Sequence, residues 1–379
     1  MGTFKRLWNV STMIGLMLVF GLFVLPVSSV VAEEEIYVGV SAPLTGDNAE
    51  YGEYFRSAVL LGMEHINAKG GINGASLKLL IEDSKAEPKE GVLIAQKFIS
   101  DSRILAVVGD FNSSTSMAAA EIYSPGGLVQ ISPTASHPDF TTIGEYIFRA
   151  GTTQAMEGPF LAKWAVEDLG YQKIATIYIN NDWGLVANKY FVEKAKELGA
   201  TITNEESFIV GDKDFTAIIT KIKQQNPDMV FFATTWADAA AIAIQMRKLD
   251  FSPALMGPGA LSTDKLIEMA GPAVEGIKAN AIYFIHDTRP VSANFTADYR
   301  KKYGKYPHDH CGLAYDALML LANAIEKAGT DRAAIRDTLA ATEGYEGVTG
   351  VFRFDEQRNP IKEFIKIEVR DGKWQIAEK

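Results

Sequence analysis

Hydroxyl-bearing residues gather at two places where they could grip a small anion. Gly109-Asp110-Phe111-Asn112-Ser113-Ser114-Thr115-Ser116 follows the apolar run Leu105–Val108 and sets a glycine turn before four consecutive hydroxyls at a helix start. Unpaired amides at such a start favour negative charge, so a carboxylate could sit there. Capping that helix is the commoner use of a lone Ser such as Ser113 or Ser114, but four hydroxyls exceed what one cap requires. Ser132-Pro133-Thr134-Ala135-Ser136-His137-Pro138 follows Ile131, and its two prolines hold the chain extended with carbonyls and hydroxyls free to form a polar wall. Asn180-Asn181-Asp182-Trp183-Gly184, Thr234-Thr235-Trp236-Ala237-Asp238 and Met256-Gly257-Pro258-Gly259 stand at comparable places later in the chain. Trp183 and Trp236 could be core filler, yet a large aromatic at a strand end often lines an apolar ligand face.

Catalytic chemistry has less support. GxGxxG, GxxxxGK[ST] and GxSxG are all missing, so nucleotide, phosphoryl and α/β-hydrolase chemistry lack their usual supports. His308-Asp309-His310-Cys311 is metal-like, but no second cluster completes a tetrahedral site, and a solvated loop leading into a helix is the favoured reading. His65, His137 and His286 stand apart from any nucleophile motif. The expectation is a binding protein rather than an enzyme, with no cofactor and no metal.

Short apolar runs alternating with helical patterns must position these groups. Ile36–Ser41, Leu77–Ile81, Leu105–Val108 and Leu128–Ile131 read as strands, with helices over Tyr51–Ala68 and from near Pro88 and Ser113. A second series runs from Gln154 through strands at Lys173–Ile179, Thr201–Phe208, Met229–Ala233 and Ala254–Met256. Helices over Ser292–Tyr303, Gly312–Lys327 and Asp331–Ala341 precede closing strands at Val351–Phe354 and Phe364–Val369. The pattern predicts an α/β protein with doubly covered parallel sheets, whose ligand crevice lies beyond the strands' carboxyl ends.

The chain has 379 residues, 47% hydrophobic and 22% charged, with net charge −10. That excludes a disordered or fibrous chain and makes nucleic acid an unexpected partner, and the length predicts two domains with a cleft between them. Lys5 and Arg6, the apolar run Met13–Leu25 and the small residues before Glu33 read as a signal peptide over residues 1–32, so the expected location is the periplasm. Cys311 is the sole cysteine, so no internal disulfide can form and stability must come from core burial.

In order along the chain stand Ala42-Pro43-Leu44-Thr45-Gly46-Asp47 with Tyr51-Gly52, Ile66-Asn67-Ala68-Lys69-Gly70-Gly71-Ile72-Asn73-Gly74, Ile131-Ser132-Pro133, Asp214-Phe215-Thr216, Met256-Gly257-Pro258 and Ala314-Tyr315-Asp316-Ala317. Over essentially the whole mature sequence the chain resembles the type I periplasmic binding proteins of the branched-chain amino acid ABC transporter family. The resemblance implies two Rossmann-like lobes joined by a three-strand hinge: residues 33–151 plus 285–347, and residues 152–284 plus 348–379, with crossings near Gly151, Phe284 and Gly347. It implies a substrate-binding component that captures a small amino acid or related carboxylate by hinge closure and docks on membrane permease and ATPase subunits. An exported sensory module and an exported α/β enzyme are the rival readings. Carried over residue by residue, the ligand carboxylate falls to Ser113 and Ser136, and the carbonyl for its ammonium to Thr134 or Ala135. Aromatic and strand-end contacts fall to Tyr51, Trp183 and Thr235 or Trp236.

The chain departs from the family where a Glu usually follows Met-Gly-Pro to pair with the ligand's ammonium, because Gly259 stands there. An unpaired buried ammonium costs several kcal/mol. Either Asp238 or Asp182 replaces that acid, or the ligand lacks an ammonium, or water in the gap solvates it. The family's disulfide near the first lobe's crevice is also missing.

Overall fold

The computed structural model describes residues 34–285 and 287–378, so the signal-peptide reading lies outside the described residues. Strands β1 (Glu35–Ala42), β2 (Ser76–Asp83), β3 (Ile104–Val108), β4 (Val129–Ser132) and β5 (Ile147–Arg149) form a parallel sheet in the order β2-β1-β3-β4-β5. Helices α1 (Ala49–Ala68), α2 (Pro88–Ser100) and α3 (Ser113–Tyr123) are its crossovers. The central strand β3, ILAVV, is buried along its whole length, as a strand covered on both faces must be.

The second sheet takes β6 (Lys173–Ile179), β7 (Thr201–Phe208), β8 (Met229–Ala233), β9 (Ala254–Gly257), β10 (Lys278–Ala281), β13 (Ile365–Arg370) and β14 (Lys373–Ile376) in the order β14-β13-β10-β9-β8-β6-β7. Its first five strands are parallel, and β13 and β14 are added antiparallel at one edge. Around it lie α4 (Gln154–Lys163, extended by a π turn to Asp168), α5 (Asp182–Glu197), α6 (Thr216–Lys223), α7 (Trp236–Lys248) and α8 (Asp264–Ala270). Helices α9 (Pro290–Tyr303), α10 (Asp309–Ala328) and α11 (Arg332–Ala340) return to the first core, where Phe295, Leu318, Leu321 and Leu339 are buried with Phe55 and Val59. Full burial of each such side chain contributes about 1.5–3 kcal/mol. No helix among the described residues is long and apolar enough to cross a membrane.

Two glycines let helices start hard against strand ends. A Cβ on Gly52 would fall 1.9 Å from the Pro43 carbonyl oxygen, and one on Gly184 2.1 Å from that of Ile179. Both sit in the first turn of a helix, α1 and α5, so the contact fixes where each helix N-terminus meets its sheet.

The chain passes between halves after β5, between β10 and α9, and once more after Lys362. The third passage corrects the expected one near Gly347. Asp316 on α10 accepts the amides of Val348 and Thr349, both at 2.7 Å, and so doubles the chain back as an antiparallel ribbon of β11 (Glu343–Gly347) and β12 (Gly350–Arg353). Val348 and Phe352 bury in the first core, and Arg358 donates to the carbonyls of Ile147 and Thr141. Only at Phe364, whose ring lies 4.9 Å from Phe160 of α4, does the chain join the second half. Residues 348–362 therefore make their contacts with the first half.

Candidate functional site

A cavity of about 490 Å³ lies between the carboxyl ends of the two sheets. Ser113, Thr134, Ser136, Trp183, Thr235, Trp236, Asp238 and Gly259 all line it, joined by Glu157, Asn280, Asp309 and His310 from outside the set read from sequence.

The first half supplies the hydroxyls. Asn112 caps α3 by accepting the Thr115 amide at 2.7 Å, so neither Ser113 nor Ser114 is needed for that. The Ser113 oxygen accepts the His137 amide at 3.2 Å, which leaves its proton to donate. Ser116 serves the structure instead, its oxygen accepting the Asp110 amide at 3.2 Å. The Asp110 carboxyl accepts from Ser41 at 2.7 Å and from the Phe111 amide at 2.6 Å, and burial pushes it up to about 6.

Arg149, wholly buried, shapes the 132–138 loop. It donates to the carbonyls of Ala135 at 2.9 Å and His137 at 2.8 Å, and burial pulls its guanidinium down to about 9. This corrects the expectation for Ala135, whose carbonyl is already engaged and whose side chain packs in the core. Thr134 donates to the Phe111 carbonyl at 2.6 Å, and the Ser136 hydroxyl accepts from Gln154 at 3.1 Å. Tyr51 also lies behind the wall rather than in it. It is 1% exposed, stacks on Phe111 at 4.3 Å, and points its hydroxyl at the Ala260 carbonyl of the other half, 3.3 Å away.

Further contacts join the halves. Ser114 donates to Asp182 at 2.6 Å, which accounts for Asp182 and keeps it from the cavity wall, and the hydroxyls of Tyr54 and Thr263 meet at 3.3 Å. Trp236 packs against both cores.

The second half and the start of α10 bring acids. Asp238 accepts from the hydroxyls of Thr234 and Thr235, both at 3.0 Å, while burial raises its pKa. Glu157, in the first turn of α4, accepts the Gly259 amide at 3.1 Å and hydrogen bonds from Gln154 and Asn280, and burial raises its pKa as well. The His308-Asp309-His310 segment is buried, not the solvated loop expected, because α10, which it opens, runs into the core. Burial opposes ionisation of Asp309, but His308 and His310 on either side outweigh it and hold the carboxyl low. Burial pulls His310 down to about 4, so its ring is neutral at pH 7. Candidate metal-ligating atoms of the three residues lie within 4.8 Å of one another. Among the described residues, the lining sets Asp47, Glu157, Asp238 and Asp309 against Lys213, a wall that favours a ligand carrying positive charge.

Glu157 was missed because it does not follow a strand, and Asp309, noticed only in the metal-like His308-Asp309-His310-Cys311 run, was set aside with it as a solvated loop. The signal for Glu157 was an acid on the sequence Met156-Glu157-Gly158-Pro159-Phe160-Leu161, where its near neighbours carry no charge.

Residues 35–373 match the model of a family described as periplasmic binding protein. The Leu/Ile/Val-binding protein homolog 2 of Brucella abortus is 30% identical over 353 residues, 91% of this chain and 94% of the relative. The leucine-, isoleucine-, valine-, threonine- and alanine-binding protein of Pseudomonas aeruginosa is 30% identical over 339 residues, 88% of this chain and 89% of the relative. Among solved structures, the branched-chain amino acid transporter substrate binding protein of Streptococcus pneumoniae in complex with isoleucine superposes with a TM-score of 0.86 at 28% identity, over 91% of this chain and 99% of that one.

Proposed function

The chain belongs to the periplasmic binding protein family, and on that premise we propose that it is the periplasmic substrate-binding component of an ABC uptake transporter. It takes a small amino acid or related carboxylate into the cleft, closes on it, and presents the closed form to membrane permease and ATPase subunits. The observation that carries this reading is Ser113: a buried hydroxyl in the first turn of α3, facing the cavity with its proton unspent. The first amides of α3 have no partner within the helix and reinforce it as a carboxylate seat. Relatives named as amino-acid-binding proteins support the ligand class.

Closure supplies the contacts a ligand can use to shift the balance between open and closed forms. Trp183 and Trp236 come from the second half and Ser113 and Ser136 from the first, so one small molecule touches both only when the cleft is shut. Binding, not turnover, is the whole reaction. The test is X-ray scattering and calorimetry across the common L-amino acids and the carboxylic acids that lack only their amine. Micromolar or tighter binding with ligand-dependent compaction and no new product is expected. Unchanged scattering and no binding across that panel would refute the proposal.

A further inference from the structure

We propose that Glu157, Asp309 and Asn280 form a seat for a ligand ammonium around Gly259, so that the cargo is an amine-bearing acid and Glu157 decides that specificity. The proposal rests on reading the cleft as an amino-acid or carboxylate site and names which of the two it takes.

Gly259 leaves open the point from which a side-chain acid would otherwise reach the cavity. Two other acids stand beside that point. The Gly259 amide donates to Glu157 Oε1 at 3.1 Å. A Cβ built on Gly259 would lie 3.6 Å from Asp309 Oδ2 and 3.6 Å from Asn280 Nδ2. The charge relocates to neighbouring elements, α4 and the start of α10, around the same backbone position.

The groups that hold Glu157 are neutral donors: the Gly259 amide and the side-chain amides of Gln154 and Asn280. The charge next to it is Asp309, a second carboxylate. Two buried acids facing one cavity are costly unless a cation joins them. Asn280 is 1% exposed, lines the same cavity, and its Oδ1 has no hydrogen-bond partner among the described residues. An ammonium brings three donors, and Glu157, Asp309 and Asn280 Oδ1 offer three acceptors. A ligand without the amine would leave Asn280 Oδ1 without a donor and the paired acids Glu157 and Asp309 without a cation between them, and sites built this way reject the analogue that lacks the polar group.

Calorimetry on the full chain with the common L-amino acids, each beside the carboxylic acid lacking only its amine, tests the assignment. L-leucine against 4-methylpentanoate and L-phenylalanine against 3-phenylpropanoate are the leading pairs. The wild type is expected to bind its preferred amino acid at least tenfold more tightly than the amine-free partner. Glu157→Gln, which keeps an acceptor for the Gly259 amide, should lose at least tenfold for the amino acid and at most twofold for the amine-free acid. Asp309→Asn gives an independent second variant should the first fail to fold. Equal or preferential binding of the amine-free acids by the wild type would overturn the seat while leaving the cleft reading intact. So would wild-type discrimination in both variants. Binding of neither class would sink the cleft reading, and the seat with it.

Discussion

Replacing Ser113 by Ala removes one hydroxyl from the first turn of α3 and tests the carboxylate seat directly. The Ser113 oxygen accepts the His137 amide at 3.2 Å, and its proton is the one available to a bound anion. A hydrogen bond to a charged group contributes roughly 1.5–3 kcal/mol, so the variant should bind its ligand about 10- to 150-fold more weakly. The cost to the unliganded fold is smaller, because Asn112 rather than Ser113 caps α3 and His137 is only half-buried, leaving water access to its amide. About 1 kcal/mol of lost stability would lower the melting temperature by only about 2–4 °C. Titration calorimetry on wild type and Ser113→Ala, with calorimetric melting of both unliganded proteins, reads the two effects separately. A wild-type affinity in the variant would refute the reasoning. Equally damaging would be a melting temperature lowered far beyond that range, since Ser113 would then be a structural hydroxyl.

Arg149→Met should destabilise the protein by about 2–5 kcal/mol in urea titrations, because two buried carbonyls, Ala135 and His137, lose their donor; a loss below about 1 kcal/mol would show the loop to be held otherwise. Asp110 titrates at about 6 in the fold against an ordinary 3.8. Between those values the native chain keeps a proton that the unfolded chain has released, so its contribution to stability falls as pH rises through the window, by about 3 kcal/mol. Asp110→Asn should flatten that part of the stability curve, and parallel curves for the two proteins would contradict the assignment. Ser114→Ala removes the hydrogen bond to Asp182 that ties the halves together and should weaken ligand affinity a few-fold, at about 0.5–1 kcal/mol for so exposed a contact, with scattering shifted toward the open form; an unchanged affinity and profile would mean the bond forms equally in both states.

Periodicity carried most of the fold because most of its elements announce themselves. Strands such as Leu105–Val108 and Met229–Ala233 are unbroken apolar runs, and those are what a sheet covered on both faces requires. The elements that escaped are those whose neighbours make them. Strand β10 reads Lys-Ala-Asn-Ala, with no branched or aromatic residue, and is a strand because β9 pairs with it on one side and β13 on the other. The third passage between halves was misplaced for a similar reason. Nothing local in Gly347–Thr349 says that Asp316, 32 residues before Val348 on α10, will gather its amides and turn the chain back.

The site divides along the same line. Residues directly after strands, Ser113, Ser136, Trp183 and Trp236, reach the cavity because the fold sends the carboxyl ends of the parallel strands there. Ala135 fails this rule although it lies between two residues that obey it, since a buried guanidinium takes its carbonyl. Glu157 and Asp309 sit on helices, where position along the chain says nothing about proximity to Gly259. What could have exposed Glu157 is charge bookkeeping. An acid among uncharged neighbours on a buried helix face must meet a partner, and when the surrounding protein offers it only amides, the missing cation has to arrive with the ligand.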